Sequence, residues 1–298
     1  FAHLSMILGP DGKKLSKRHG AASVEEFCER GYLPDAMVNF LALLGWSLDG
    51  ETTLINRETL CEKFSLERVT KKDAVFDETK LDWMNGVYIR DMGAAAWVDA
   101  AKPWLAQTNL DGSNVPDGIT VVPTPAKEEA EAAARELHLP GEGVDADTWE
   151  ACLVDVDDDR EFYEAMYPLV AERLAHLDEI PAKLAFLFWG DSVVLDEKSV
   201  QKVLLKEGAR ADEALAICRG ILADDDNPWD AEALEELCRA AGEEAGLKPK
   251  LLFQPLRVAV CGNMVSPPLF EAMMLMDPAD IVARIDGVTE TVFSERAN

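Results

Sequence analysis

Ser23-Val24-Glu25-Glu26 is a capping box: the Ser23 hydroxyl can accept the backbone N–H three residues on, and Glu26 can reach back to Ser23. It opens a series of helix signals that leaves little room for strands, so a mainly α fold is expected. Pro34 suits a first helical turn, and Met37, Phe40, Leu41 and Leu44 form an apolar stripe that stops at Gly45. Asn56 caps a helix over Arg57 to Phe64, and Asp77 caps another carrying Leu81, Trp83, Met84 and Val87. Four short helices make a compact bundle.

Further along, Ala94 to Gln107 reads as a helix, Asn109 to Pro125 as a loop or insertion rich in Gly, Pro, Asp and Asn, and Lys127 to Leu137 as a surface helix. Helices are expected at Arg160 to Leu177, Pro181 to Trp189, Glu197 to Glu207 behind the cap Asp196, and Ala211 to Leu222. The turn Asp224-Asp225-Asp226-Asn227-Pro228 marks a boundary. Trp229 to Gly246, Lys248 to Cys261 and Pro267 to Met276 read as helices, Asn263 to Ser266 as a turn, and Thr289 to Asn298 as a frayed tail.

Charge is distributed unevenly. Of the formal net charge of −27, residues 1–90 carry −2, residues 91–246 carry −24 and residues 247–298 carry −1. Such a chain repels nucleic acid at long range, while its near-neutral ends leave room for local basic contacts. The middle reads as a solvated acidic surface or as a face for a basic partner. No apolar run approaches a membrane span. The six cysteines form no Cys-x-x-Cys pair and the four histidines are dispersed, so no metal site is expected and the cysteines read as buried free thiols in a reducing cytoplasm. The opening Phe1 to Leu8 has no initiator Met and reads as a strand entering mid-fold, so the chain is expected to be the C-terminal portion of something longer.

Against this acidity, Lys13, Lys14, Lys17 and Arg18 crowd into six positions on a loop framed by Gly9, Gly12 and Gly20. Two lysines separated by two residues can place two ammonium charges on one polyphosphate, with backbone N–H groups helping. The use would be electrostatic, stabilising charge that builds as pyrophosphate leaves. Taken alone, such a cluster is more often solvated surface or a localisation-like patch.

Lys14-Leu15-Ser16-Lys17-Arg18 resembles the KMSKS signature of class I aminoacyl-tRNA synthetases. The run Gly12 to Ala21, with Gly31-Tyr32-Leu33-Pro34, Leu43-Leu44-Gly45-Trp46-Ser47 and Lys80-Leu81-Asp82-Trp83-Met84-Asn85, is similar to bacterial glutamyl-tRNA synthetases, as are Leu252 to Gly262 and Pro267-Pro268-Leu269-Phe270-Glu271. The resemblance implies an end of a catalytic domain over 1–20 and a stem-contact helical bundle over 21–92. It further implies a two-part all-α anticodon-binding domain, 93–222 and 223–298, with an insertion in the first part. It implies that Lys14 and Lys17 hold ATP phosphates, with Leu15, Ser16 and Arg18 shaping the nucleotide-binding loop, and that ATP and Mg serve the parent enzyme while this chain holds no cofactor tightly. Arg257, Ser266, Pro267, Leu269 and Phe270 match anticodon-contacting positions; Arg offers a planar donor fork, and Leu and Phe offer apolar surface to unstacked bases. Without the resemblance, Leu269 and Phe270 read more readily as core than as base platforms.

The resulting expectation is the tRNA-binding portion of a cytoplasmic, monomeric glutamate–tRNA ligase, with tRNA(Glu), ATP and glutamate as partners of the intact enzyme. The chain alone is expected to be inactive, since no HIGH signature occurs in it. The alternative is a helical RNA-binding or protein-interaction scaffold without catalysis.

Overall fold

The computed structural model describes residues 5–16, 23–113, 121–122 and 155–293. Lys17, Arg18 and the helix expected over Lys127 to Leu137 lie outside them. The chain divides into two compact units, Phe1–Ala101 with Val170–Glu179, and Lys102–Leu169 with Ile180–Asn298. The described residues are mainly helical, as the caps and apolar periodicities require.

The first unit contains β1 (Ile7–Leu8), α1 (Val24–Glu29), α2 (Pro34–Ala42), α3 (Arg57–Lys63), β2 (Ala74–Val75), α4 (Glu78–Asp91) and the opening turns of α5 (Ala94–Ser113). The capping box forms: the Glu26 N–H donates to Ser23 Oγ and the Ser23 N–H to Glu26 Oε2, both at 3.3 Å. Asn56 accepts from the Thr59 N–H at 2.8 Å and Asp77 from the Lys80 N–H at 3.1 Å. Phe27, Tyr32, Met37, Phe40, Leu81 and Met84 make one core cluster, and Trp46, Ile55 and Leu60 a second. Leu41 and Trp83, expected on apolar stripes, are instead 43% and 50% exposed, and Cys28 and Cys61, expected buried, are exposed too, because each lies on the outer side of a short surface helix.

Two buried amides tie this unit together. Asn39 Oδ1 accepts from the Ile55 N–H at 2.9 Å while its Nδ2 donates to the Thr53 carbonyl at 3.1 Å. Asn85 accepts from the Leu33 N–H at 2.8 Å and donates to the Ala175 carbonyl at 2.7 Å. Beside it Gly86 leaves room for the returning chain, since a Cβ there would sit 2.8 Å from the Leu174 carbonyl oxygen. A glycine serves here for close backbone approach.

The second unit contains the later turns of α5, β3 (Val121–Val122), α6 (Arg160–Val170), α7 (Ile180–Leu184), β4 (Val193–Val194), α8 (Glu197–Ser199), α9 (Ala211–Leu222), α10 (Ala231–Glu244), α11 (Pro249–Cys261), α12 (Leu269–Met273) and α13 (Pro278–Phe293). β3 and β4 pair in parallel, with Val121 opposite Val193. α9, α11 and α13 pack against one another through Leu215, Leu222, Leu256, Val260, Ile281, Ile285 and Val288, all buried. Arg219 reinforces the packing with two parallel bonds from Nε and Nη2 to Asp286, at 2.7 and 2.8 Å.

Several boundaries differ from the sequence reading. The helix expected over Arg160 to Leu177 stops at Val170 and gives way to short 3₁₀ turns at Ala171–Arg173 and Leu177–Glu179. Pro168 removes a backbone donor just before that break. α8 widens into a π turn over Val200–Leu204, and α5 continues to Ser113, past the loop expected from Asn109. The tail expected from Thr289 is helical to Phe293. It belongs to α13, whose Ile281, Ile285 and Val288 recur at helical spacing.

Candidate functional site

Two places concentrate the sequence-predicted residues, one in each unit. In the first unit, the lysine loop is a tight hairpin arm. The Gly12 N–H donates to the Gly9 carbonyl at 3.0 Å, the Gly9 N–H to the Lys13 carbonyl at 2.8 Å, and the Leu15 N–H to the Ile7 carbonyl at 2.9 Å. Gly12 sits at φ 72°, where a side chain would be strained. β2 anchors the arm: β1 pairs with it in parallel, Ile7 opposite Ala74, and the Met6 N–H donates to Asp73 at 3.1 Å. The Lys13 ammonium lies 3.6 Å from the Asp11 carboxylate, while Lys14 is exposed and Leu15 and Ser16 are half-buried. The geometry presents Lys14 to solvent on a braced turn.

In the second unit, the site is the corner between α11 and α12. α11 ends at Gly262, whose φ of 78° is left-handed and whose N–H closes on the Val258 carbonyl at 2.9 Å. No other residue fits there. A Cβ would lie 2.0 Å from the Val194 carbonyl oxygen. The Gly262 carbonyl accepts from the Asp196 N–H at 2.8 Å, and Ser199 Oγ, which donates to Asp196 at 2.6 Å, accepts from the Met264 N–H at 3.0 Å. The start of α8 thus buttresses the corner.

Arg257 closes it from inside. One guanidinium nitrogen donates to the Pro267 carbonyl at 2.6 Å, to the Ser266 carbonyl at 3.3 Å and to Ser266 Oγ. Beneath, Arg284 is 1% exposed and donates to the carbonyls of Gly190 at 2.7 Å, Val260 at 2.8 Å and Phe186 at 3.0 Å. Burial pulls its pKa down to about 10, which leaves the guanidinium charged at neutral pH. The neighbouring Cys261 thiol is pushed up to about 11 by burial, so it stays a thiol.

The structure brings Arg257, Ser266, Pro267, Leu269 and Phe270 together, but mostly below the surface. Ser266 is 8% exposed, Leu269 3% and Phe270 4%; the Phe270 ring meets Phe253 edge-on at 5.4 Å. They are the floor of the corner. Sequence reading took in Gly262 only as part of a motif and missed Ser199 and Arg284; all three fix that corner. Arg284 carried one available signal: an arginine in line with the apolar stripe of α13 must find partners once buried. Among the described residues no group of His, Cys, Asp and Glu could hold a metal ion.

Comparison with known proteins bears on both places. Residues 130–289, more than half of the chain, match the anticodon binding domain family, and residues 1–83 match the class I tRNA synthetase (E and Q) catalytic domain. The chain belongs to the anticodon binding domain family. Among similar proteins are the glutamate–tRNA ligases of Dehalococcoides mccartyi, 37% identical over 96% of this chain and 50% of that protein. That of Moorella thermoacetica is 37% identical over 96% of this chain and 49% of its own length. The chain therefore spans about half the length of these relatives. A solved glutamate–tRNA synthetase of Elizabethkingia anophelis shares the fold with a TM-score of 0.67, at 24% identity, over 98% of this chain and 51% of its own. The two family matches between them take in the hairpin and the α11–α12 corner.

Proposed function

We propose that this chain supplies tRNA recognition to a glutamate–tRNA ligase, which in its intact form joins glutamate to tRNA(Glu) through a glutamyl-adenylate made from ATP. The carrying observation is the anticodon-domain match over 130–289, the stretch that contains the braced α11–α12 corner. In this reading the corner meets the anticodon loop. Arg257 contributes by holding Ser266 and Pro267 in place, and Leu269 and Phe270 by supporting them from below.

Lys14 and Lys17 would hold the phosphates of ATP, with Mg bound to the nucleotide, while Leu15, Ser16 and Arg18 shape the loop. The exposed Lys14 on a glycine turn fits that use, because an ammonium group needs access and no proton transfer is asked of it. We read the protein as a cytoplasmic monomer.

Because the net charge is −27, RNA binding must rest on local cations and should fall steeply with salt. Fluorescence anisotropy of labelled tRNA(Glu) with the 298-residue chain tests the proposal. Saturable binding that weakens when the anticodon is replaced is expected. No binding at low salt would overturn it and return the chain to the scaffold class.

A further inference from the structure

We infer that the RNA-contacting face of this corner is made by Val265 at the loop tip together with Lys198, Lys202 and Lys206 on and just beyond α8. The lysines take backbone phosphates of a single-stranded RNA loop, and Val265 packs on an unstacked base. The inference rests on the tRNA reading above and deepens it: it names the exposed side chains that do the touching.

Val265 is 80% exposed, more than any other large hydrophobic side chain among the described residues. A lone exposed valine is ordinary on a mobile loop. This one is held on a fixed loop. Its own N–H donates to Asn263 Oδ1 at 2.9 Å; Met264 before it is bound to Ser199, and Ser266 after it to Arg257. With Gly262 locked against Val194, the tip is presented in one conformation, so a contact made there loses little ordering entropy.

The lysines supply the second observation. Lys198, Lys202 and Lys206 recur every four residues, are all exposed, and form no ion pair among the described residues. Asp196, Glu197 and Glu207 flank them in sequence without pairing to them, whereas the arginines of this unit take carboxylates: Arg160 pairs with Glu164, Arg210 with Glu213, Arg219 with Asp286 and Arg239 with Glu235. Lys198 lies in α8, Lys202 in the π turn closed by the Leu205 N–H on the Val200 carbonyl at 2.9 Å, and Lys206 in the bend that follows it. One bond joins the two features. The Met264 N–H to Ser199 Oγ contact sets Val265 and Lys198 each one residue from the same 3.0 Å hydrogen bond. Cations beside an exposed apolar tip suit a strand whose phosphates and bases are both accessible, which a paired duplex does not offer.

The test measures binding of the 298-residue chain to a labelled RNA hairpin with a single-stranded loop, and to a fully paired duplex of equal length. Replacing Lys198, Lys202 and Lys206 with Ala should weaken hairpin binding about tenfold and flatten the salt dependence by about 2 in slope. Val265→Asp should weaken the hairpin about tenfold while leaving the duplex unchanged. A charge control, Lys71→Ala with Lys72→Ala, should alter hairpin binding less than about twofold, since both exposed lysines belong to the other unit. If the wild-type chain binds and both corner variants bind equally well, this face is not the interface, although the tRNA reading stands. Equal losses on hairpin and duplex for Val265→Asp would remove its role at a base. If the wild-type chain binds neither the hairpin nor tRNA(Glu), the inference falls together with the reading beneath it.

Discussion

Arg257 donates to the Pro267 carbonyl oxygen at 2.6 Å, across ten residues of chain, and the same nitrogen reaches the carbonyl of Ser266. A side chain that sequence alone would aim at a ligand is thereby committed to the backbone of its own loop. Arg257→Ala should cost about 2 kcal/mol of stability, since charge-assisted bonds are lost at a half-buried position. Arg257→Lys should recover only part, because an ammonium lacks the planar fork. Urea melts of the three proteins check the order; an unchanged midpoint for Arg257→Ala would show that the bonds contribute nothing.

Gly262→Ala and Gly246→Ala form a matched pair. Both glycines have positive φ, 78° and 71°, but a Cβ on Gly262 would meet the Val194 carbonyl at 2.0 Å whereas one on Gly246 meets nothing within 4 Å. Gly246→Ala should cost about 1 kcal/mol from backbone strain alone. Gly262→Ala should cost more than about 4 kcal/mol, enough to stop the corner from forming. Equal losses would mean that the Val194 strand yields freely.

Arg284→Ala would strand three buried carbonyls and leave a cavity, for an expected loss of about 4 kcal/mol. Arg284→Met, which fills the volume without donating, separates the two causes: recovery of most of the stability would assign the effect to packing. Thermal unfolding of both variants decides it.

His176 gives the first unit a pH dependence with a definite sign. Burial lowers its pKa, but the hydrogen bond from Nδ1 to Asp178 and the charges of Asp178 and Glu179 outweigh burial and the nearby Arg30, so the folded value lies above the ordinary histidine range. The ring also stacks on Tyr32 at 5.4 Å. A raised folded value means the stabilisation is complete below the unfolded pKa of about 6.5 and disappears as pH climbs through the folded one. Melting temperature should therefore fall on going up from about pH 6.5 in the wild-type chain, and His176→Gln should remove that component. A wild-type profile flat over this range would contradict the assignment.

On the proposed reading of Lys17 as a phosphate contact, Lys17→Ala in the full-length protein should reduce adenylate formation far more than tRNA affinity, because the RNA face is left untouched. Comparing ATP–pyrophosphate exchange with tRNA binding on the same preparation provides the check. Equal losses in both would count against a phosphate role.

How much of this was legible beforehand follows from the range of each interaction. Ser23, Asn56, Asp77 and Asp196 were readable as caps because a cap bonds a backbone N–H three residues on, and each does so here. The residues of the lysine loop and of the α11–α12 corner stood out as motifs for the same reason. Pro168 offered a local signal for the helix end at Val170 that the reading passed over, whereas the π turn after Ser199 carries no such mark.

The sequence by itself determined a mainly helical chain, its caps, its acidic middle and the two stretches where chemistry concentrates. Only the tertiary structure decided which way those residues face. Arg284 finds its acceptors 24, 94 and 98 residues away, Met264 finds Ser199 65 residues away, and Gly262 is required by the carbonyl of Val194. Those contacts turn Leu269 and Phe270 inward and leave Val265 outside. No local pattern encodes that division, because burial depends on what the rest of the chain places beside each residue.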